Sequence, residues 1–219
     1  MITVDGPAGA GKSTVARELA RRLGFRYLDS GATYRAVTWK ALDCGADLTA
    51  PEELAELARK TRVEFAEGGV VRCDGVDVTK QIRTPQVTDN IFRLADEPAV
   101  RKVLIEQQRR FAERGNLVSE GRDQGTDVFP DADLRFYLDA GLGERARRRV
   151  KDLLRSGESL GQQEVEKQMA ERDARDRSRP VGALRRTEDM VVIDSTEMSV
   201  DEVVQAMLEE IERRLPTQR

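Results

Sequence analysis

No histidine occurs anywhere in the 219 residues, and cysteine occurs only at Cys44 and Cys73. The first absence rules out an imidazole general base and any triad built on one. With no Cys-x-x-Cys either, no ligand set for zinc is available, and two reduced structural thiols in a cytosolic protein are expected. Long apolar runs are also missing. The chain opens on Ile2-Thr3-Val4 without a basic leader, so neither a signal peptide nor a membrane span is expected, and a cytoplasmic location follows. Lysine is scarce: of 37 basic residues 30 are arginine. Against 40 acidic residues they leave a net charge of −3, a near balance that argues against a dedicated nucleic-acid or anionic-membrane binder. An arginine fork matches phosphate and carboxylate oxygens in pairs, so the bias suits a phosphate handler, although most of thirty arginines are expected at the surface.

What is present is an alternating pattern. Residues 1–5 read as a short buried strand. From Lys12 the apolar positions Val15, Leu19, Ala20 and Leu23 take a helical period that stops at Gly24. Phe25–Asp29 reads as a second strand, and a second helix is expected from about Thr33 to Leu42. Strand, helix, strand, helix at this spacing predicts a doubly wound α/β fold: three layers around a central five-stranded parallel sheet. Residues 46–115 break the rhythm. Pro51–Lys60 reads as a helix, and Val63–Ala66, Val70–Cys73 and Val76–Val78 as an antiparallel sheet joined by glycine turns. Pro85–Leu94 and Pro98–Arg114 read as two more helices. We read 46–115 as an inserted lobe. Core strands resume at 116–119, 134–138 and 190–193, with a helix over 143–155 between the last two. Ser199 and Glu202 predict a capping box before a final helix. The polar, arginine-rich stretch 156–187 reads as a partly helical lid or a solvated hairpin. The domain reading is thus a core of 1–45, 116–155 and 188–219, the lobe 46–115, and the segment 156–187.

Between the first strand and helix, Gly6-Pro7-Ala8-Gly9-Ala10-Gly11-Lys12-Ser13 fits G-x-x-x-x-G-K-[ST] without mismatch. Such a loop turns backbone N–H groups inward as a cradle for phosphate oxygens, and the following helix aims its positive end at the same point. Lys12 is expected at the β- and γ-phosphates of ATP, and Ser13 at Mg²⁺. No guanine-reading Asn-Lys-x-Asp occurs. Strand 116–119 leads into a single acid, Glu120, placed to hold the magnesium shell through water, and Arg122 follows two positions on. That arrangement suits a kinase acting on a small phosphorylated acceptor. Such chemistry needs no general base, because a phosphate oxygen of the acceptor is already anionic near neutral pH. The protein has to align two polyanions and neutralise developing charge.

Several further segments resemble one family. Asp5 to Thr14, Tyr27-Leu28-Asp29-Ser30-Gly31-Ala32-Thr33-Tyr34-Arg35, Glu120 to Thr126 and Phe129-Pro130-Asp131-Ala132 look like bacterial cytidylate kinases. So do Glu171 to Arg179 and Ile193-Asp194-Ser195-Thr196. The matches run in order from residue 1 to about 200. The Walker loop is common to many families; Asp-Ser-Gly-Ala-x-Tyr-Arg and Gly-Arg-Asp-x-Gly-Thr are far more specific. The resemblance implies a P-loop nucleoside monophosphate kinase acting on CMP or dCMP with ATP and Mg²⁺. UMP, AMP or a small metabolite is the alternative acceptor. It implies a monomer without nucleic-acid or membrane partners. Gly6, Pro7, Ala8, Gly9, Ala10, Gly11, Lys12, Ser13 and Thr14 would bind ATP, and Arg148 would stack on its adenine. Ser30, Arg35 and Arg122 would hold the monophosphate, with Tyr34 also at the acceptor. Asp123 and Arg101 would face cytosine, whose exocyclic amine a carboxylate accepts from. Arg172 and Asp176 would address the ribose and Arg179 the phosphates. Lys12, Arg122, Arg172 and Arg179 would stabilise the transferring group. Three positions depart from the family. Phe92 stands where a serine is usual, Val181-Gly182-Ala183-Leu184 lacks the usual proline, and Asp127 replaces an apolar residue. Apart from one ATP contact, the arginines of 145–149 read as a solvated helix face.

Overall fold

A computed structural model describes residues 1–155 and 160–215. The first residues of the expected lid, 156–159, and the chain's end, 216–219, lie outside the described residues. The chain divides into two compact units, Met1–Tyr27 with Asn116–Arg219, and Leu28–Gly115.

The first unit holds the phosphate loop. Strand β1 (Ile2–Asp5) is buried at all four positions, as a central parallel strand must be. It pairs in parallel with the later strand Leu117–Gly121, Asp5 opposite Gly121, and with Leu134–Asp139, Asp5 opposite Tyr137. With Arg26–Asp29 as β2, the lobe strands as β3–β5, and Leu117–Gly121, Leu134–Asp139 and Val191–Asp194 as β6, β7 and β8, the sheet order is β2-β6-β1-β7-β8. This is the expected five-stranded parallel sheet. The chain leaves β1 between β6 and β7, where the strand order reverses, and ligands of such sheets bind at those carboxyl ends.

Helix α1 (Lys12–Leu23) follows the loop and buries Val15, Ala16, Leu19 and Ala20 on one face. These pack with Ile2, Val4, Phe136 and Leu138 of the sheet and Val203, Val204 and Met207 of the last helix, α8 (Val200–Arg214). Each large aliphatic removed from water contributes roughly 1.5–3 kcal/mol, so this face alone fixes the helix start to the strand end. Gly24 closes α1 at φ +67, its N–H directed to Ala20 and Arg21 carbonyls. The capping box at the head of α8 is present: Ser199 and Glu202 each bond the other's backbone N–H. Between β7 and β8 stand α6 (Leu142–Arg155) and α7 (Gln162–Ser178), which share a small apolar cluster of Ala146, Leu153, Val165 and Met169. Among the described residues of 156–187 the helical part is α7, and its inner face is buried.

The second unit begins at Leu28, and so takes in α2 (Ser30–Asp43) besides residues 46–115. Helix α2 starts three residues before the expected Thr33. Asp29 caps it, its Oδ1 accepting from the Ala32 N–H at 2.8 Å, and that bond satisfies a first-turn donor which periodicity alone does not register. Helix α3 (Pro51–Lys60) and the antiparallel sheet β3 (Val63–Phe65), β4 (Val71–Cys73), β5 (Val76–Asp77) follow as expected. Asp74 and Gly75, at φ +49 and +85, form the β4–β5 turn. Helices α4 (Pro85–Ala95) and α5 (Pro98–Ala112) complete the unit. Leu54, Leu94, Val100 and Leu104 form its main core with Tyr34, Val37 and Ala41 of α2.

Candidate active site

The loop's backbone explains its glycines. Gly6, Gly9 and Gly11 take φ +152, +77 and +91, where a side chain is strained. At Gly6 a Cβ would also lie 2.0 Å from the Leu138 carbonyl oxygen, so β7 leaves no room for any other residue. Gly11 sits at the N-cap of α1 with no side-chain cap, and the first turn holds no acid. With no side chain capping them, the first N–H groups and the positive end of the helix suit an anion.

Lys12 is buried, its Nζ donating to the Pro7 carbonyl at 2.8 Å. Burial, then the nearby positive charge of Arg122, pulls its pKa down from 10.5 to about 7, against the attraction of Glu120 and Asp5. Ser13 Oγ donates to Glu120 Oε1 at 2.6 Å, joining the two oxygens expected beside a magnesium ion. Hydroxyl, carboxylate and phosphate oxygens are the hard donors that Mg²⁺ prefers. Among the described residues no group of three or more potential ligating side chains gathers. Ser13 and Glu120 therefore suit an ion that arrives with most of its shell made of phosphate and water, and the Gly9–Gly11 cradle suits the phosphates themselves.

A proton linkage follows from Lys12. A polyphosphate bound beside it would raise the depressed pKa. Above pH 7 the bound protein would then hold more protons than the free protein, so the expected affinity for ATP falls as pH rises beyond 7. Calorimetry of ATP binding at pH 8, in buffers of different ionisation enthalpy, should show uptake of ~0.9 proton for a group near 7. Lys12→Met should abolish most of it; zero uptake by the unaltered protein would contradict the assignment.

Arg122, just past β6, directs Nε to Asp176 Oδ2 at 2.7 Å. Arg179 Nη2 meets the other oxygen of Asp176, also at 2.7 Å. Burial works against both partners, yet the pairing wins: Arg122 is raised above its ordinary pKa, and Asp176 is held below the usual carboxylate range by Arg122, Arg179 and Arg172. Arg172, one turn before Asp176, is pulled down to about 10 by burial and by Arg122, and stays charged at neutral pH. Arg122 and Arg172 both act electrostatically on Lys12. The first unit therefore brings Lys12, Arg122, Arg172, Asp176 and Arg179 into one electrostatic cluster with Glu120. Arg148 is half-buried; its N–H groups bond Glu144, the Ala10 carbonyl and Ser195, in-plane contacts that do not use the faces of the guanidinium.

Asp123 is buried immediately after Arg122. It opens a π-helical turn, Gln124–Val128, a device often found at functional sites. Reading the sequence missed what holds that turn. Asp5, fully buried at the end of β1, accepts the Gln124 and Gly125 N–H groups on its two oxygens at 2.9 and 2.7 Å. Ser119 Oγ donates to Gln124 Oε1 at 2.6 Å. Burial pushes the Asp5 carboxyl up to about 7, the two N–H bonds oppose that, and the charge of Asp123 adds to it. An aspartate in the residue before the glycine loop was the available signal.

In the second unit, Ser30 and Tyr34 are buried on α2. Arg35 Nη1 donates to the Thr88 hydroxyl at 2.9 Å and the Ile82 carbonyl at 3.1 Å. Arg101 is buried on α5, its guanidinium 5.7 Å from the Tyr34 ring centre and bonded to the Ala95 carbonyl at 3.1 Å. So Tyr34 orients Arg101 within this unit. Phe92 is half-buried on α4 with Arg93 over its ring at 5.3 Å.

The sequence profile of the family described as cytidylate kinase matches residues 2–213. A cytidylate kinase of Desulfitobacterium hafniense is 46% identical over 209 residues, covering 94% of this chain and 90% of its own. One from Rhodopirellula baltica is 45% identical, covering 95% and 90%. A bifunctional pantoate ligase/cytidylate kinase of Nostoc is 42% identical over 98% of this chain and 42% of its own length. Among solved structures, shikimate kinases from Bacteroides thetaiotaomicron and Acinetobacter baumannii superpose with a TM-score of 0.51 at 14% and 19% identity, over 96% and 97% of this chain and 97% and 92% of theirs. At that identity they show the fold alone.

Proposed function

The chain belongs to the cytidylate kinase family, and from that premise we propose that it transfers the γ-phosphoryl group of ATP to CMP or dCMP, giving ADP and CDP or dCDP. The observation that carries this reading is the cluster of Lys12 with Arg122 and Arg172. Lys12 and Arg172, both depressed by burial and by the charge of Arg122, are costly to the fold alone and suit a pair of polyanions. No histidine is needed, since the attacking phosphate oxygen has no proton to lose.

Gly6–Thr14 hold the triphosphate, Lys12 follows the γ-phosphoryl, and Arg148 offers a face to adenine. When bound, Mg²⁺ supplies charge neutralisation at the phosphates, with Ser13 and Glu120 as its protein partners. Ser30, Tyr34, Arg35 and Arg122 hold the acceptor phosphate; Arg101 and Asp123 read cytosine; Arg172 and Asp176 address the ribose. The segment 156–187 acts as a lid, Arg179 and Arg172 meeting the transferring group and excluding water. The lobe 46–115 receives the monophosphate. The enzyme works as a cytoplasmic monomer, a reading that rests on the family resemblance; among the described residues no helix is long and apolar enough to cross a membrane.

Initial rates with ATP, magnesium and CMP, dCMP, UMP or AMP test the proposal. CMP or dCMP should give the highest kcat/KM. AMP outpacing CMP would overturn the base assignment. ATP hydrolysis indifferent to any monophosphate would overturn phosphoryl transfer itself.

A further inference from the structure

The phosphate loop is held from its outer side as well as by its glycines. Arg145 of α6 is buried, and three bonds fix its guanidinium: Nε to the Ala140 carbonyl at 2.8 Å, and Nη1 to the Ala8 carbonyl at 3.0 Å and to Asp173 Oδ2 at 2.7 Å. Asp173, on α7, is 2% exposed. A Cβ on Gly9 would come 3.2 Å from Arg145 Cβ and 2.6 Å from Met169 Cε, so the loop rests directly on these two helices. The sequence reading placed 145–149 on a solvated face. The structure corrects this for Arg145, because α7 covers it and brings a carboxylate.

A buried ion pair is weak support for stability, since apolar residues of the same volume usually serve as well. Its geometry suggests another use. In a planar trans peptide the C=O and N–H point in opposite directions. A donor that holds the Ala8 carbonyl toward α6 therefore turns the Gly9 N–H the opposite way, away from α6. Arg148 Nη1 meets the Ala10 carbonyl at 3.4 Å from the same helix, with the same consequence for the Gly11 N–H.

We propose that Arg145, held by Asp173, is a positioning residue that sets the direction of the phosphate-binding N–H groups of the loop. The inference rests on the kinase reading for its ligand, ATP, but not for its test. Neither residue is required to touch substrate. Asp173 lies next to Arg172 and one turn before Asp176, so the same pair ties the loop to the helix that carries the proposed lid residues.

The test is ATP affinity by calorimetry, without acceptor, in two variants that alter the brace differently. Arg145→Met with Asp173→Leu removes both charges and should melt at or above the temperature of the unaltered protein. Its ATP Kd should nevertheless rise about tenfold, as expected when a phosphate-binding N–H is no longer aimed. Arg145→Lys keeps the charge, but a single ammonium cannot reach Ala140, Ala8 and Asp173 together, and Kd should rise about threefold or more on the same grounds. In both, KM for ATP should follow Kd while KM for CMP stays within about twofold. A purely structural role would lower melting temperature and active fraction without this split. Unchanged ATP Kd in either folded variant overturns the proposal. Absence of CDP from the unaltered protein, with ATP binding intact, would instead overturn the kinase reading and leave this one standing.

Discussion

Lys12→Ala should lower kcat for phosphoryl transfer by about 10³-fold, roughly 4 kcal/mol of transition-state stabilisation, while the protein stays folded. The side chain is buried, and the charges of Arg122 and Arg172 oppose its own. Its direct contribution to the fold is one hydrogen bond to the Pro7 carbonyl, worth about 1 kcal/mol. The cost of burying its charge is larger, so the fold gains more than it loses on truncation.

The sign can be checked against pH. The pKa is 10.5 unfolded and about 7 folded, so between those values the unfolded chain binds more protons and the stability of the unaltered protein rises with pH. The variant lacks this term. Its advantage in melting temperature should be largest below pH 7 and shrink as pH climbs towards 10.5. A kinetic collapse with an equal or higher melting temperature separates catalysis from folding. Undiminished turnover would remove Lys12 from the phosphates.

The strands and helices around the loop were legible because each carries its own local signal: β-branched runs bounded by glycine, a period ending at Gly24, proline at the heads of α3, α4 and α5. The lobe sheet was legible through Asp74-Gly75, which a tight turn at positive φ requires. What escaped was non-local. Arg145 and Arg147 look alike in sequence, yet one is buried against Asp173, 28 residues away, and the other pairs with Glu144 at the surface. The turn Gln124–Val128 depends on Asp5, 119 residues earlier, and no periodicity encodes that. The head of α2 escaped because Asp29 both ends β2 and caps the helix, so no turn residues separate the two elements. Among thirty arginines, position after a strand end singled out Arg122, but its partner Asp176 comes from a helix whose composition reads as solvated.

Asp123→Asn should raise KM for CMP about 100-fold, some 2.7 kcal/mol, and leave KM for ATP within about threefold. A carboxylate only accepts hydrogen bonds, which suits the exocyclic amine of cytosine and repels the O4 of uracil. An amide presents both a donor and an acceptor, so the variant should also narrow the preference for CMP over UMP. The position makes this a sharp test, because Asp123 is buried near Asp5 and adds to the rise of its pKa to about 7. A carboxyl raised in that way binds more protons folded than unfolded between pH 3.8 and 7, so it lowers stability as pH rises through that window. Removing the charge of Asp123 lowers the Asp5 pKa and relieves part of that loss. The asparagine variant should therefore melt near the unaltered temperature at pH 7.5, with Asp5 still accepting from Gln124 and Gly125. A residue that served only as a structural counter-charge to an arginine would behave oppositely, losing melting temperature while both Michaelis constants moved together. A defect confined to ATP would place the carboxylate at the other nucleotide.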